Sequence, residues 1–244
     1  MCLLAISPHL IFESAAYTVG FTIYSRDRRR TGDILRNSDR SSILVAAILG
    51  AALGSKLLAW FEDPAELALR WRDWQFLVGG KTIVGGLLGG TAAVEWVKAR
   101  LHITRRTGDL FAIPLAIGIA IGRIGCFVAG LGDHTYGVAT TLPWGVDFGD
   151  HVMRHPVQIY EIIFLLALAA WLWRMRSTPH QEGAHFRLFL LAYLAFRLAV
   201  DFLKPEPKFA GLSVLQWTCV VALCWYSRDS AALLRAPERE GAHG

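Results

Sequence analysis

The chain has 244 residues, of which 54% are hydrophobic and only 18% charged, with mean hydropathy +0.38 and formal net charge +5. A soluble domain carries nearer a quarter charged residues, so the composition excludes a protein free in water and points to one embedded in a bilayer. The four cysteines, Cys2, Cys126, Cys219 and Cys224, have neither metal-ligand nor disulfide spacing.

A spanning helix needs about 20 mostly apolar residues. Seven stretches qualify, at about residues 4–24, 43–61, 82–98, 109–130, 157–174, 187–204 and 211–227. The second, fifth and seventh are the most plainly apolar. The third, IVGGLLGGTAAVEW, is short and glycine-rich, and the first and sixth carry ionisable residues. Met1 to Leu10 lacks the basic start of a cleaved signal peptide, and Cys2 lacks the apolar segment that precedes a lipidation site.

The charges between these stretches alternate. The first connection, SRDRRRTGDILRNSDR, has six arginines, and the next, FEDPAELALRWRDWQF, has two arginines and four acids. KARLHITRR is basic again, the segment from Leu131 to Pro156 holds Arg154 alone, and RMRSTPHQEGAHFR has three arginines. KPEPKFAG holds two lysines, and the tail carries Arg228, Arg235 and Arg239. The basic connections belong on the cytoplasmic side. The sequence therefore predicts an all-α polytopic membrane protein of about seven transmembrane helices, N-terminus outside and C-terminus cytoplasmic. Most of the nine tryptophans fall at predicted span ends, where an indole anchors to the interface. No boundary divides the chain. It reads as one transmembrane domain over residues 1–244, with a polar extracytoplasmic loop at about 131–156. No nucleotide loop, metal cluster or cofactor motif is visible. The Arg26–Arg40 run beside a span faces lipid headgroups rather than nucleic acid.

An ionised group at the centre of a spanning helix costs roughly 2.5–3.5 kcal/mol on insertion scales, and such groups pair or line wet cavities. Here they are Glu13, Lys56, Lys81, Glu95, Arg123, Glu161, Arg197 and Asp201. Arg197 and Asp201 are four apart and share a helical face. Arg123 lies in GRIGCFVAG, where Gly122 and Gly125 let backbones approach and leave room for a ligand. A guanidinium fork there suits phosphate, so two arginines in a membrane cavity point to an anionic lipid. The polar loop adds Asp133, His134, Tyr136, Asp147, Asp150, His151, His155 and Tyr160, and histidine is the usual general base near neutral pH.

GRIGCF, LPWGV, RHPVQIYE and FRLAVDFLKPEP, in that order and preceded by AAYTVGF and GGKTIVGGLLGG, resemble the prolipoprotein diacylglyceryl transferase family from about Glu13 to Tyr226. The resemblance implies a seven-helix enzyme of the cytoplasmic (inner) membrane. Such an enzyme moves the diacylglyceryl group of phosphatidylglycerol onto a lipoprotein signal-sequence cysteine, releasing glycerol phosphate. It carries the family's two essential arginines onto Arg123 and Arg197. The family pattern Gly-Arg-x-Gly-Asn-Phe-x-Asn-Gly-Glu is altered here to Cys126, Ala129 and Leu131 at its two asparagines and its glutamate. The family's histidine, a candidate base, is Val84, and an early helix tyrosine is Glu13.

These readings predict a transferase in which Arg123 and Arg197 clamp phosphate and His134 or Glu13 takes the acceptor's proton. Lys81, Gly122, Gly125, Asp133, Tyr136, Glu161 and Asp201 are expected to line the substrate site, with no metal and no cofactor. The expected partners are phosphatidylglycerol, a lipoprotein precursor signal sequence and membrane lipids. The rival is a relative that binds or moves lipid without catalysis. A small-solute transporter fits less well, because no inverted repeat of broken helices is visible.

Overall fold

A computed structural model describes residues 8–32 and 35–227. Cys2, the start of the first predicted span and the basic tail with Arg228, Arg235 and Arg239 lie outside the described residues. Each predicted span carries one long helix: α1 (Pro8–Thr31), α2 (Asn37–Glu62), α5 (Ile83–Arg100), α6 (Asp109–Ala129), α7 (Val157–Met175), α8 (Ala184–Val200) and α9 (Val214–Ser227). Two short helices, α3 (Pro64–Arg70) and α4 (Trp74–Val78), join α2 to α5. The carboxylates of Asp63 and Asp73 each accept two backbone N–H groups at the starts of these helices. The strands among the described residues form one hairpin, β1 (Val146–Asp147) against β2 (Met153–Arg154), with Val146 opposite Arg154.

Three of the helical segments are long and apolar enough to cross a membrane: Asn37–Glu62, Asp109–Asp133 and Val157–Met175. The fourth predicted span thus joins the second and fifth as the clearest, whereas α9 has only 14 described residues. It starts at Val214 because Ser213 and Gln216 close its first turn by exchanging hydrogen bonds, Ser213 N to Gln216 Oε1 at 2.9 Å and Gln216 N to Ser213 Oγ at 3.1 Å. α1 runs past its predicted end through the arginines to Thr31, since arginine is a good helix former.

The core lies between α6, α7 and α8. On α6 the buried residues Ala112, Ala116 and Ala120 recur every four positions, a flat stripe on which α7 can lie. α7 answers with Leu165, Leu168 and Leu172, and α8 with Phe189, Leu190 and Leu194. Each stripe ends in an ion at the same end of the bundle: Arg123 one turn beyond Ala120, Glu161 one turn before Leu165, and Arg197 one turn beyond Tyr193. α2 meets α5 differently, backbone to backbone. A Cβ placed on Gly54 would stand 2.4 Å from the Gly85 carbonyl oxygen, and one on Gly89 2.4 Å from that of Gly50. Only glycine fits such an approach.

At the opposite end, Arg176 pairs with Asp27 at 3.7 Å and Arg105 pairs with Glu182. Asp109, in the first turn of α6, accepts the Gly183 N–H at 2.7 Å and the Phe186 N–H at 3.0 Å, satisfying amide groups at the start of α8.

Candidate active site

The ions that end the three stripes form one buried network. Glu161 is its hub. Its Oε2 lies 2.9 Å from Arg123 Nε and 3.2 Å from Arg197 Nη1, and its Oε1 accepts the Tyr193 hydroxyl at 2.7 Å. The Arg123 contact is an ion pair without hydrogen-bond alignment, for Arg123 Nε has no bonded acceptor. Arg197 also reaches Asp201 Oδ1 at 3.1 Å, and Asp201 Oδ2 accepts Ser213 Oγ at 2.6 Å. Arg123, Glu161, Arg197 and Asp201 are all buried. Two cations and two anions balance, which is what makes them tolerable in an apolar interior. Each arginine nevertheless keeps spare N–H donors, Arg197 Nε among them, buried without an acceptor. An incoming phosphate oxygen could take them.

A second cluster adjoins the first through Cys126, whose Sγ is 3.7 Å from Arg123 Nη1. Gly125 brings α1 against α6 here: a Cβ on it would lie 2.9 Å from Phe12 Cβ. That approach sets His9 of α1 beside Cys126 and Asp133, with Glu13 next to His9. His9 Nδ1 is 3.8 Å from Asp133 Oδ1, and His9 Nε2 is 3.9 Å from Glu13 Oε2. Glu13 also takes hydrogen bonds from Lys81 Nζ and Tyr17 Oη, both at 3.2 Å. Asp133 Oδ2 accepts Thr135 Oγ1 at 2.8 Å, and Thr135 Oγ1 in turn accepts Gln158 Nε2 at 3.1 Å.

The structure therefore brings together most of the residues singled out in the sequence. Arg123, Glu161, Arg197 and Asp201 form one group; Glu13, Lys81 and Asp133 form the other. Gly125 is one contact point of α1 and α6, and Gly122 faces open space, with nothing within 4 Å of a Cβ placed on it. His134 stands apart. It is exposed at the end of the 3-10 turn Gly130–Asp133, with its ring 6.4 Å from that of Tyr136. Tyr136 in turn stacks under Arg154, the guanidinium 5.0 Å from the ring centre. Lys56 has a structural role, as its ammonium reaches the carbonyls of Val78, Gly79 and Gly80 at the end of α4. Val84 is fully buried in the core.

Sequence reasoning missed His9, Cys126, Tyr193, Gln158 and Ser213. His9 had a signal, four residues before Glu13 in an apolar stretch. Tyr193 had one too, four residues before Arg197 on the face that Asp201 continues. Two further motifs meet at Tyr160, whose hydroxyl lies 2.8 Å from Trp144 Nε1 of LPWGV and 3.1 Å from His155 Nδ1 of RHPVQIYE. In the hairpin, the Arg154 guanidinium 2.6 Å from Asp150 holds that carboxyl below its ordinary range. Surface cavities of about 200 and 240 Å³, the first beside Trp60 and Phe76 and the second beside Tyr24 and Asp109, lie away from both clusters.

Residues 4–226 match the family model for prolipoprotein diacylglyceryl transferase. Among curated proteins, the phosphatidylglycerol–prolipoprotein diacylglyceryl transferase of Bordetella parapertussis is 30% identical over 227 residues, 84% of this chain and 83% of its own length. The enzyme of the same name from Cupriavidus necator is 34% identical over 186 residues (73% and 67%), and that of Polynucleobacter asymbioticus 31% over 201 (75% and 73%).

Proposed function

The chain belongs to the prolipoprotein diacylglyceryl transferase family, and on that premise we propose that it transfers the diacylglyceryl group of phosphatidylglycerol to the cysteine thiol of a lipoprotein precursor. One observation carries the proposal: Arg123 and Arg197, from different helices, converge on a single buried carboxylate. The acceptor's sulfur attacks the terminal glycerol carbon of the diacylglyceryl group. The C–O bond to phosphate breaks, and glycerol phosphate leaves with the electron pair. Charge grows on the phosphate as that bond breaks, and fixed guanidinium donors stabilise it without reorganisation. Glu161 and Asp201 hold the two forks in place; Tyr193 fixes Glu161. Glu13, beside His9 and Lys81, is the better placed of the two expected proton acceptors, since it is linked to Arg123 through His9 and Cys126 and His134 is exposed.

The chain works in the cytoplasmic membrane as a seven-span bundle with the ion clusters near its outer face. The alternation of arginine-rich connections supports this, with Arg28, Arg105 and Arg176 at the end opposite the clusters. Labelling of introduced cysteines should find Arg28 and Arg176 positions inside, and Glu66 and Asp147 outside.

Purified protein incubated with labelled phosphatidylglycerol and a peptide carrying a lipoprotein signal-sequence cysteine should yield labelled peptide and glycerol phosphate. Burial of Val84 where the family has its histidine favours the rival, a relative that only binds lipid. Lipid binding without any labelled peptide would select that rival.

A further inference from the structure

Three donors of different chemistry meet at the outer end of α1 and α6: the imidazole of His9, the thiol of Cys126 and the carboxylate of Asp133. One donor atom of each lies within 4.8 Å of the other two. They come from α1, α6 and the 3-10 turn that follows it, so the tertiary fold rather than local sequence assembles them. His9 Nδ1 is buried and has no hydrogen-bond partner, although it points at Asp133 Oδ1, 3.8 Å away. A buried ring nitrogen left unsatisfied is uncommon, and a ligand explains it.

The surroundings are those of a built site. A metal-bound histidine generally turns its other nitrogen to a carboxylate, and His9 Nε2 faces Glu13 Oε2 at 3.9 Å. A ligating carboxylate is generally held by its second oxygen, and Asp133 Oδ2 takes the Thr135 hydroxyl at 2.8 Å, with Gln158 behind it. Zinc bonds of about 2.0–2.3 Å set donors about 3.3–3.8 Å apart in a tetrahedron, so the trio must contract by roughly 1 Å, within reach of side-chain rotation. Thiolate, imidazole and carboxylate together suit zinc better than calcium or magnesium, which prefer all-oxygen sites. Thiolate plus carboxylate also neutralise a divalent cation, leaving no net charge beside Arg123.

We propose that His9, Cys126 and Asp133 bind one zinc-type divalent cation, and that its open fourth position takes the acceptor thiol. The second half rests on the transfer reaction proposed above. A thiol coordinated there loses its proton to solvent or Glu13, because a metal-bound thiol is held as thiolate. The thiolate forms the C–S bond as the C–O bond to phosphate breaks, and glycerol phosphate departs toward Arg123. This supplies the thiol activation that Val84 cannot. Cys126 stands where the family pattern has asparagine, so the site belongs to this branch.

The test uses the full chain, purified through a tag without histidines, stripped with chelator and reloaded with Zn²⁺ or Co²⁺. Mass spectrometry should find about one ion per chain, and the Co²⁺ form should show a thiolate charge-transfer band in the near ultraviolet. His9→Ala and Cys126→Asn should each weaken binding by at least about tenfold and remove the band. Cys126→Asn restores the family's residue and should fold even if Cys126→Ser does not. Cys219→Ser should retain the ion. Binding no greater than in Cys126→Asn overturns the site. Adding the thiol peptide should strengthen the charge-transfer band; an unchanged band overturns the open position. Transfer that persists at full rate in metal-free Cys126→Asn sinks this inference and leaves the proposed function intact. A bound ion with no transfer in the unaltered chain does the reverse.

Discussion

Two seams of the bundle are built on opposite principles. α2 and α5 join through what is missing, since Gly50, Gly54, Gly85 and Gly89 carry no side chain and the backbones touch. α6, α7 and α8 join through apolar stripes that end in Arg123, Glu161 and Arg197, the most expensive groups a membrane interior can hold. The first seam is built from close backbone contact. The second accepts a penalty at one end in exchange for a charged constellation that packing alone would not favour. The proposed phosphate clamp lies in the second seam and not in the first.

The two seams should fail differently. The largest effect is expected from Gly89→Val, because its new side chain meets the Gly50 carbonyl and the Gly54 backbone, neither of which can rotate away. Overpacking of this kind costs about 3 kcal/mol or more, and size-exclusion profiles of the extracted protein should show little folded material. Arg197→Ala should come next, lowering diacylglyceryl transfer by about 10²- to 10³-fold. It also leaves Glu161 and Asp201 short of a partner, at a cost of about 3–5 kcal/mol. The double change Arg197→Ala, Asp201→Ala should recover thermal stability but not transfer. Recovery of both would make the second seam structural as well. Arg123→Lys keeps the charge and loses the planar fork. Transfer should fall at least about tenfold with expression intact, and wild-type turnover would remove Arg123 from phosphate recognition.

A finer contrast lies within one turn of α6. Gly125→Ala should lower the melting temperature, since its methyl meets Phe12, whereas Gly122→Ala faces open space and should leave stability unchanged. A fall in transfer for Gly122→Ala would then report substrate in that space. The smallest effect is expected at the hairpin. Arg154 depresses the Asp150 carboxyl, so this contact is present above the ordinary carboxylate pKa and is lost as pH falls through the lowered one. Backbone amide protection in residues 146–154 should drop in acid, and Asp150→Asn should show the same loss at neutral pH.

Much of this was legible in the sequence, for identifiable reasons. Hydropathy located all seven long helices because lipid-facing and core-facing residues are both apolar. Arg197 and Asp201 were legible because their spacing on one helix fixes their meeting. The hub role of Glu161 was not, since its partners sit on α6 and α8, and no spacing along the chain encodes where those helices cross. His9 escaped for the same reason, being 117 residues from Cys126. The place of His134 was not legible either: its backbone takes a left-handed turn with φ of 51° that leaves the ring exposed beside Tyr136.

Asp109 carries a last consequence, one of timing. It satisfies the amide groups of Gly183 and Phe186 at the start of α8, on chain made 74 and 77 residues later. On the ribosome, α6 is complete and its carboxylate waiting before α8 exists. When α8 emerges, its exposed N–H groups find an acceptor already in position, so the order of synthesis matches the order in which the helix ends are satisfied.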